Sequence, residues 1–324
     1  MQINPSMIIL AREYRGISQY ELADGIGMSA TNLSKIERGE ISLQAEGWAS
    51  IASQTNLPKQ FFSQEAVPPP AEGLFRKREK VPQKLLDSIL ARGKMVSGHL
   101  QLLAKALQLP VPPLPAYQPN AAAMAAELAA SWEMEAPVNG LLRLVENKGI
   151  AVHSWAFGSE RIDSFSLLTN SGHPLICLNN ALTGDRQRFS LAYELGRLCP
   201  HDEPNAFAAA LLMPEQIIRP DLEEGITIKR LMELKQKWKL SMISLLYRSD
   251  DLGYLSPNQK RYLLQQFNQL GIRRQEPPEL DVKPERPTLL RHLLGSYSSK
   301  IKMGNAELAA QLGLHLPEYL TLYA

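Results

Sequence analysis

Two proline-rich breaks constrain this chain most: "AVPPPAEG" at 66–73 and "LPVPPLPAYQP" at 109–119. Proline fixes φ near about −65° and lacks an N–H donor, so neither a helix nor a central strand runs through such stretches. A third, "RRQEPPELDVKPERP" at 273–287, sets off the last two helical segments. The expected units are therefore 1–65, 66–119, 120–290 and 291–324. With 324 residues, two or three of these can each bury a core.

Composition narrows the class. A hydrophobic content of 44% and a charged content of 21% describe an ordinary globular protein. The net charge of +2 announces neither a nucleic-acid nor a membrane partner, so local features must do so. Cys177 and Cys199 stand in separate contexts, which fits a reducing compartment better than a disulfide framework. The start "MQINPSMIILAREYRG" lacks the basic, apolar and small-residue regions of a signal peptide. The alanine-rich "NAAAMAAELAASW" is interrupted by Glu127, and no apolar run approaches the roughly 18 residues that span a bilayer. The expected setting is cytoplasmic, away from membranes.

The first unit has local helix signals. Ser18 and Glu21 form an S-x-x-E capping box, and Leu22, Ala23 and Ile26 give the following helix an apolar face. Gly27 allows a tight turn, Ser29 caps a second helix with Leu33 and Ile36 turned inward, and Gly39 ends it. Two short helices joined by such a turn form a helix-turn-helix unit. The stretch "RGISQYELADGIGMSATNLSKIERG" resembles the XRE-type, phage-repressor-like family, over residues 5 to about 63. Trp48 and "WASIASQTNLP" fill the later core helices of that pattern.

This resemblance implies a second helix lying in the major groove of double-stranded operator DNA. Ser29, Ala30, Thr31, Asn32, Ser34 and Lys35 would face the DNA, and Gln19 would hold a phosphate. Asn32 would read an adenine edge. Paired half-sites would imply a homodimer. Through residue 65 there are five Lys or Arg against seven acidic residues, whereas 76–105 carry eight basic and two acidic. Phosphate neutralisation is therefore expected from the basic helical linker. The alternative is that those charges form a solvated face and the small unit holds a protein.

Beyond 120, "IAVHSW", "DSFSLLTN" and "PLICLN" read as three short strands. A helix follows within "RFSLAYELGRLCPHDEPNAFAAALLMP" at 188–214. A helical zinc peptidase of H-E-x-x-H type needs histidines at i and i+4 on one face, with the glutamate as general base. Here those positions are Tyr193, Glu194 and Arg197. Tyrosine is a weak ligand for zinc, and arginine offers no lone pair and repels a cation.

The surroundings, "DSFSLLTNSGHPLICLNNALTGDRQRFSLAYELGRLCPHDEPNAFAAALLMP", resemble the ImmA/IrrE family of zincin-like metallopeptidase domains. The likeness extends through "WEMEAPVNGLLRLVENKGIAV" and "LKQKWKLSMISLLYRSDDLGYLS", roughly 120–290. Members with the complete motif are zinc proteases that cut partner repressors, so the resemblance places Glu194 at the general base and Glu203 at the third ligand. Tyr193 and Arg197 depart from both helical ligands, which leaves a degenerate site with no catalytic residue, metal or cofactor expected.

Arg197, three residues after Glu194 on the same face, is expected to pair with Glu194 and Glu203 in place of an ion. Tyr193 would fill the remaining volume; the alternative has Arg197 in solvent. Cys199, His201 and Glu203 spell C-x-H-x-E, for which packing is expected, with retained metal binding left open. In "KRLMELKQKWKLSM", Leu231, Leu234 and Trp238 have core spacing and the lysines are expected to form a solvated face. His153 and His173 stand apart, on a strand and in a turn.

The expected architecture is mostly α, α+β overall. It comprises a five-helix helix-turn-helix domain, then a zincin-like α+β domain with a small sheet, then a helical C-terminal extension. The expected function is a DNA-binding transcriptional regulator with a pseudopeptidase domain that serves as sensor, dimerisation module or platform for a protein or small ligand in its cleft. The alternatives are a zinc-dependent protease with rearranged ligands that cleaves a regulator, and an antitoxin or interaction scaffold in a phage, stress or toxin–antitoxin setting.

Overall fold

The computed structural model describes residues 4–66, 74–199, 202–273 and 275–323. His201 therefore lies outside the described residues. The N-terminal unit contains α1(Ser6–Tyr14), α2(Gln19–Gly25), α3(Ala30–Glu37) and α4(Ala45–Thr55), and closes with a 3-10 turn at Lys59–Ser63. These are the five helical elements expected, the last tightened to 3-10 geometry. The capping box forms as read: Ser18 Oγ accepts from the Glu21 amide at 3.1 Å, and the Glu21 carboxylate accepts from the Ser18 amide at 2.6 Å. Gly27, at φ +68°, makes the left-handed turn that glycine alone adopts cheaply.

Next come β1(Arg76–Lys77), α5(Gln83–Leu107), α6(Ala121–Ser131) and α7(Leu141–Asn147). The central strands are β2(Ala151–Trp155), β3(Ile162–Leu168) and β4(Pro174–Asn179). Helices α8(Gly184–Leu198), α9(Pro204–Leu212), α10(Glu215–Glu223), α11(Ile228–Trp238), α12(Met242–Asp251) and α13(Pro257–Gln269) follow. A 3-10 turn at Pro278–Leu280 leads to α14(Leu289–Ile301), α15(Asn305–Gln311) and α16(Leu316–Tyr323). Among the described residues, no helix is long and apolar enough to cross a membrane.

The sheet order is β1-β3-β4-β2, with β1 and β4 antiparallel to β3 and β2 parallel to β4. Strands β2, β3 and β4 are the three expected; β1 is an addition from within the basic stretch. Pro82, extended at ψ 135°, is the N-cap of α5, and the helix starts at Gln83.

Side-chain alternation gives the sheet two different faces. Phe165 and Leu167 of β3, with Trp155 and Cys177, join α5, the N-terminal helices and α14–α16 in one core. Val152, Ile176 and Leu178 face α8, α9 and α11 in the other. Helix α5 lies so close to the sheet that a Cβ at Gly93 would meet the Phe165 ring at 2.6 Å. The helix expected in the basic stretch thus exists, but much of it is core: Ile89, Val96, Leu100 and Leu103 are buried.

The C-terminal helices fasten this arrangement. Glu318 accepts from Arg15 at 2.7 Å and from the Tyr14 hydroxyl at 2.7 Å, tying α16 to α1. Buried His99 meets the Tyr323 hydroxyl through Nδ1 at 2.6 Å and the Leu312 carbonyl through Nε2 at 2.9 Å. One expectation fails in α11. Lys235 is not on a solvated face but is 1% exposed, its Nζ 2.7 Å from both Asp185 and Glu276. Two carboxylates compensate the cost of taking that ammonium out of water.

Candidate functional site

Helix α8 crosses the sheet with Ser190 and Glu194 turned inward. It packs tightly on α9, since a Cβ at Gly196 would meet Phe207 Cδ1 at 2.7 Å. Glu194 is 0% exposed. Its two oxygens accept from Ser164 Oγ at 2.7 Å and Ser166 Oγ at 2.8 Å. These serines are alternate residues of β3 and so share a face. Burial pushes the Glu194 carboxyl above the usual carboxylate range, against the pull of Arg197, the two serines and Arg76.

Arg197 stands on the same helix face, its Nη1 3.9 Å from Glu194 Oε2, and Nη1 also donates to the Leu74 carbonyl. The expected Arg197–Glu194 pair is present, at the long end of an ion pair. Glu203 is placed differently from Glu194: it is exposed at the N-terminus of α9, whereas Glu194 is fully buried. Cys199 is buried, and burial pushes its thiol up to about 12. It is a neutral apolar contact rather than a thiolate.

Tyr193 is half-buried, and its ring lies 4.9 Å from the guanidinium carbon of Arg76. Phe189 contacts the same guanidinium at 5.0 Å. Arg76 Nη1 donates to Asp163 Oδ2 at 3.0 Å and to Ser190 Oγ at 2.8 Å. Asp163, 1% exposed, accepts from Arg186 Nη2 at 2.6 Å as well. Sequence reasoning missed Arg76, Asp163, Ser164 and Ser166. The S-x-S alternation of "DSFSLL" was the available signal, since polar groups on a core-facing strand face need buried partners.

These residues do not fit a zinc ion. Of the two positions that the resemblance implies for helical ligands, one carries a cation without a lone pair and the other a phenol ring stacked on arginine, and the intervening carboxylate is engaged by two hydroxyls.

The second surface is α3. Ser29 Oγ accepts from the Asn32 amide at 3.2 Å and so caps the helix. Thr31 and Asn32 are exposed, while Ala30, Ser34 and Lys35 are half-buried. The Ser34 hydroxyl accepts from Arg38 Nη1 at 2.6 Å. Gln19 Nε2 donates to Glu37 Oε2 at 2.6 Å, and Arg12 Nε donates to Glu37 Oε1 at 2.8 Å. Buried Glu37 therefore joins α1, α2 and α3, a role not read from the sequence.

Residues 8–62 match the helix-turn-helix family model, and residues 145–250 match the IrrE N-terminal-like domain of the M78 peptidases. The chain joins a helix-turn-helix domain to an IrrE N-terminal-like domain. No curated protein matches it. Helix α3 lies within the helix-turn-helix domain, and Tyr193, Glu194 and Arg197 lie within the IrrE-like domain. Strand β1, helix α5 and the C-terminal helices belong to neither match and physically connect the two domains.

Proposed function

We propose that this protein is a transcriptional regulator that binds operator DNA through α3 as a homodimer. On this reading its IrrE-like domain is a non-catalytic platform for a protein or small-ligand partner. The observation that carries the second part is Glu194: a peptidase base must reach an activated water, whereas this carboxylate is 0% exposed and held by Ser164 and Ser166. Arg197 places a fixed positive charge 3.9 Å from it. Support for the first part is the helix-turn-helix match together with exposed Thr31 and Asn32 on a capped helix.

The two halves share one apolar core through α5, and the Glu318–Arg15 pair ties the last helix to the first. Occupancy of the IrrE-like domain thus has a packed route to the DNA-binding helices. The test is an operator titration at several salt concentrations, with the Glu194→Gln chain alongside. Expected is a steep fall of affinity with salt and equal binding by both chains. Salt-independent binding would contradict the DNA assignment; loss of a peptidase activity in Glu194→Gln would contradict the non-catalytic one.

A further inference from the structure

Strand β1 occupies the groove between the edge of β3, with which it pairs, and helix α8, whose Phe189, Ser190 and Tyr193 meet Arg76. It pairs antiparallel, Arg76 opposite Ser164 and Lys77 opposite Ile162, and the Arg78 amide donates to the Arg161 carbonyl at 3.0 Å. A two-residue pairing with an irregular register is weak by its backbone alone. Side chains supply the grip. Phe75 meets Phe165 edge-on at 5.0 Å. The Arg76 guanidinium sits on Phe189 and Tyr193 and reaches buried Asp163 at 3.0 Å. Arg197, also on α8, donates to the Leu74 carbonyl.

Each of these contacts recognises a feature that any extended peptide of the same kind would present. The β3 edge reads backbone, Arg197 reads one carbonyl, Phe165 reads an aromatic ring. Phe189, Tyr193 and Asp163 read a planar cation, which a lysine ammonium matches poorly.

We propose that this groove is a receptor for an extended peptide bearing an aromatic–arginine pair. Residues Leu74–Arg78 are its resting occupant, and a competing peptide displaces them by strand exchange. The inference rests on the partner-platform reading of the IrrE-like domain and names the chemistry of that partner. Because the segment runs through Pro82 into α5, which packs on α1, exchange in the groove acts on the support of the DNA-binding helices.

The test uses the full chain and a fluorescent peptide with the sequence of residues 74–78, LFRKR, beside a second peptide with alanine in place of the first arginine. An occupied site lowers apparent affinity by its vacant fraction, so the Arg76→Ala chain is expected to bind LFRKR about tenfold or more tightly than the unmodified chain. Arg76→Lys should fall between them, and the alanine peptide should bind none. Equal binding of both peptides, or no gain in Arg76→Ala, overturns the proposal. Should Arg76→Ala be unfolded alone, restoration of a cooperative melt by LFRKR supports the groove and failure to restore it overturns it. Bound peptide that is cut keeps the groove and sinks the non-catalytic reading. Absent peptide binding in zinc-free protein sinks the groove and leaves that reading standing.

Discussion

Helices α3 and α8 both carry polar residues on a helix of the kind that does chemistry, but they dispose of them in opposite ways. On α3, Thr31 and Asn32 are exposed, and the helix cap is supplied by Ser29 from outside the helix. On α8, Glu194 turns inward, where Ser164 and Ser166 engage both oxygens and Arg197 supplies charge. A polar group that the fold satisfies contributes to the fold; one left facing solvent is free to recognise something else. That contrast is why we assign DNA recognition to α3 and an architectural role to Glu194.

The largest expected effect is on buried groups that share the situation of Glu194. Burial lowers His99 from the ordinary 6.5 to about 4, and His153, with Arg92 and His99 adding to the effect, to about 3. Both imidazoles are neutral in the fold, while the unfolded chain protonates them below about pH 6.5. Their contribution is complete above that pH and is lost as pH falls toward 4. Glu194, raised by burial, works in the opposite direction, because its protonation favours the fold. The two imidazoles together should lower the unfolding free energy by roughly 5 kcal/mol between pH 6.5 and 4, each tenfold change in proton affinity being worth about 1.4 kcal/mol, with Glu194 opposing that drop. His99→Gln should flatten the profile; an unchanged profile would mean that His99 is not held neutral by burial.

Next in size is the pair of hydroxyls. Ser164→Ala with Ser166→Ala leaves a buried carboxylate without its donors and should cost about 3 kcal/mol in denaturant unfolding. Adding Glu194→Gln, which removes the charge, should recover part of that loss. A double variant as stable as the parent would mean that Glu194 is hydrated and accessible. Smallest in stability terms is Asn32→Ala. It should move the melting free energy by less than about 0.5 kcal/mol yet weaken operator binding by about 1–3 kcal/mol and relax preference at one base pair. Equal affinity for all operator variants before and after the change would remove α3 from recognition.

What was legible in the sequence was local. The Ser18–Glu21 cap spans three residues and Gly27 marks its own turn, so the helix-turn-helix unit was readable. Arg197 lies one turn from Glu194, so their pairing followed from helix geometry. The runs that became β2, β3 and β4 were bounded by turn residues and were equally readable. Strand β1 was not, because its partner Ser164 lies far along the chain and Arg76 looks like one member of a solvated basic run. Lys235 was misplaced for the same reason: its partners Asp185 and Glu276 are 50 and 41 residues away. Glu203, which the resemblance put at the third-ligand position, is exposed at the N-terminus of α9 while Glu194 is buried, a difference in depth that the sequence alone does not carry.

On our reading a guanidinium stands at a position that the resemblance implies for a zinc ligand of the IrrE-like domain. Elemental analysis of protein purified without chelator or histidine tag tests it most directly. Zinc far below one ion per chain is expected, unchanged in Glu194→Gln. One zinc per chain, lost on changing Glu203 or Cys199, would contradict it and return the domain to the peptidases.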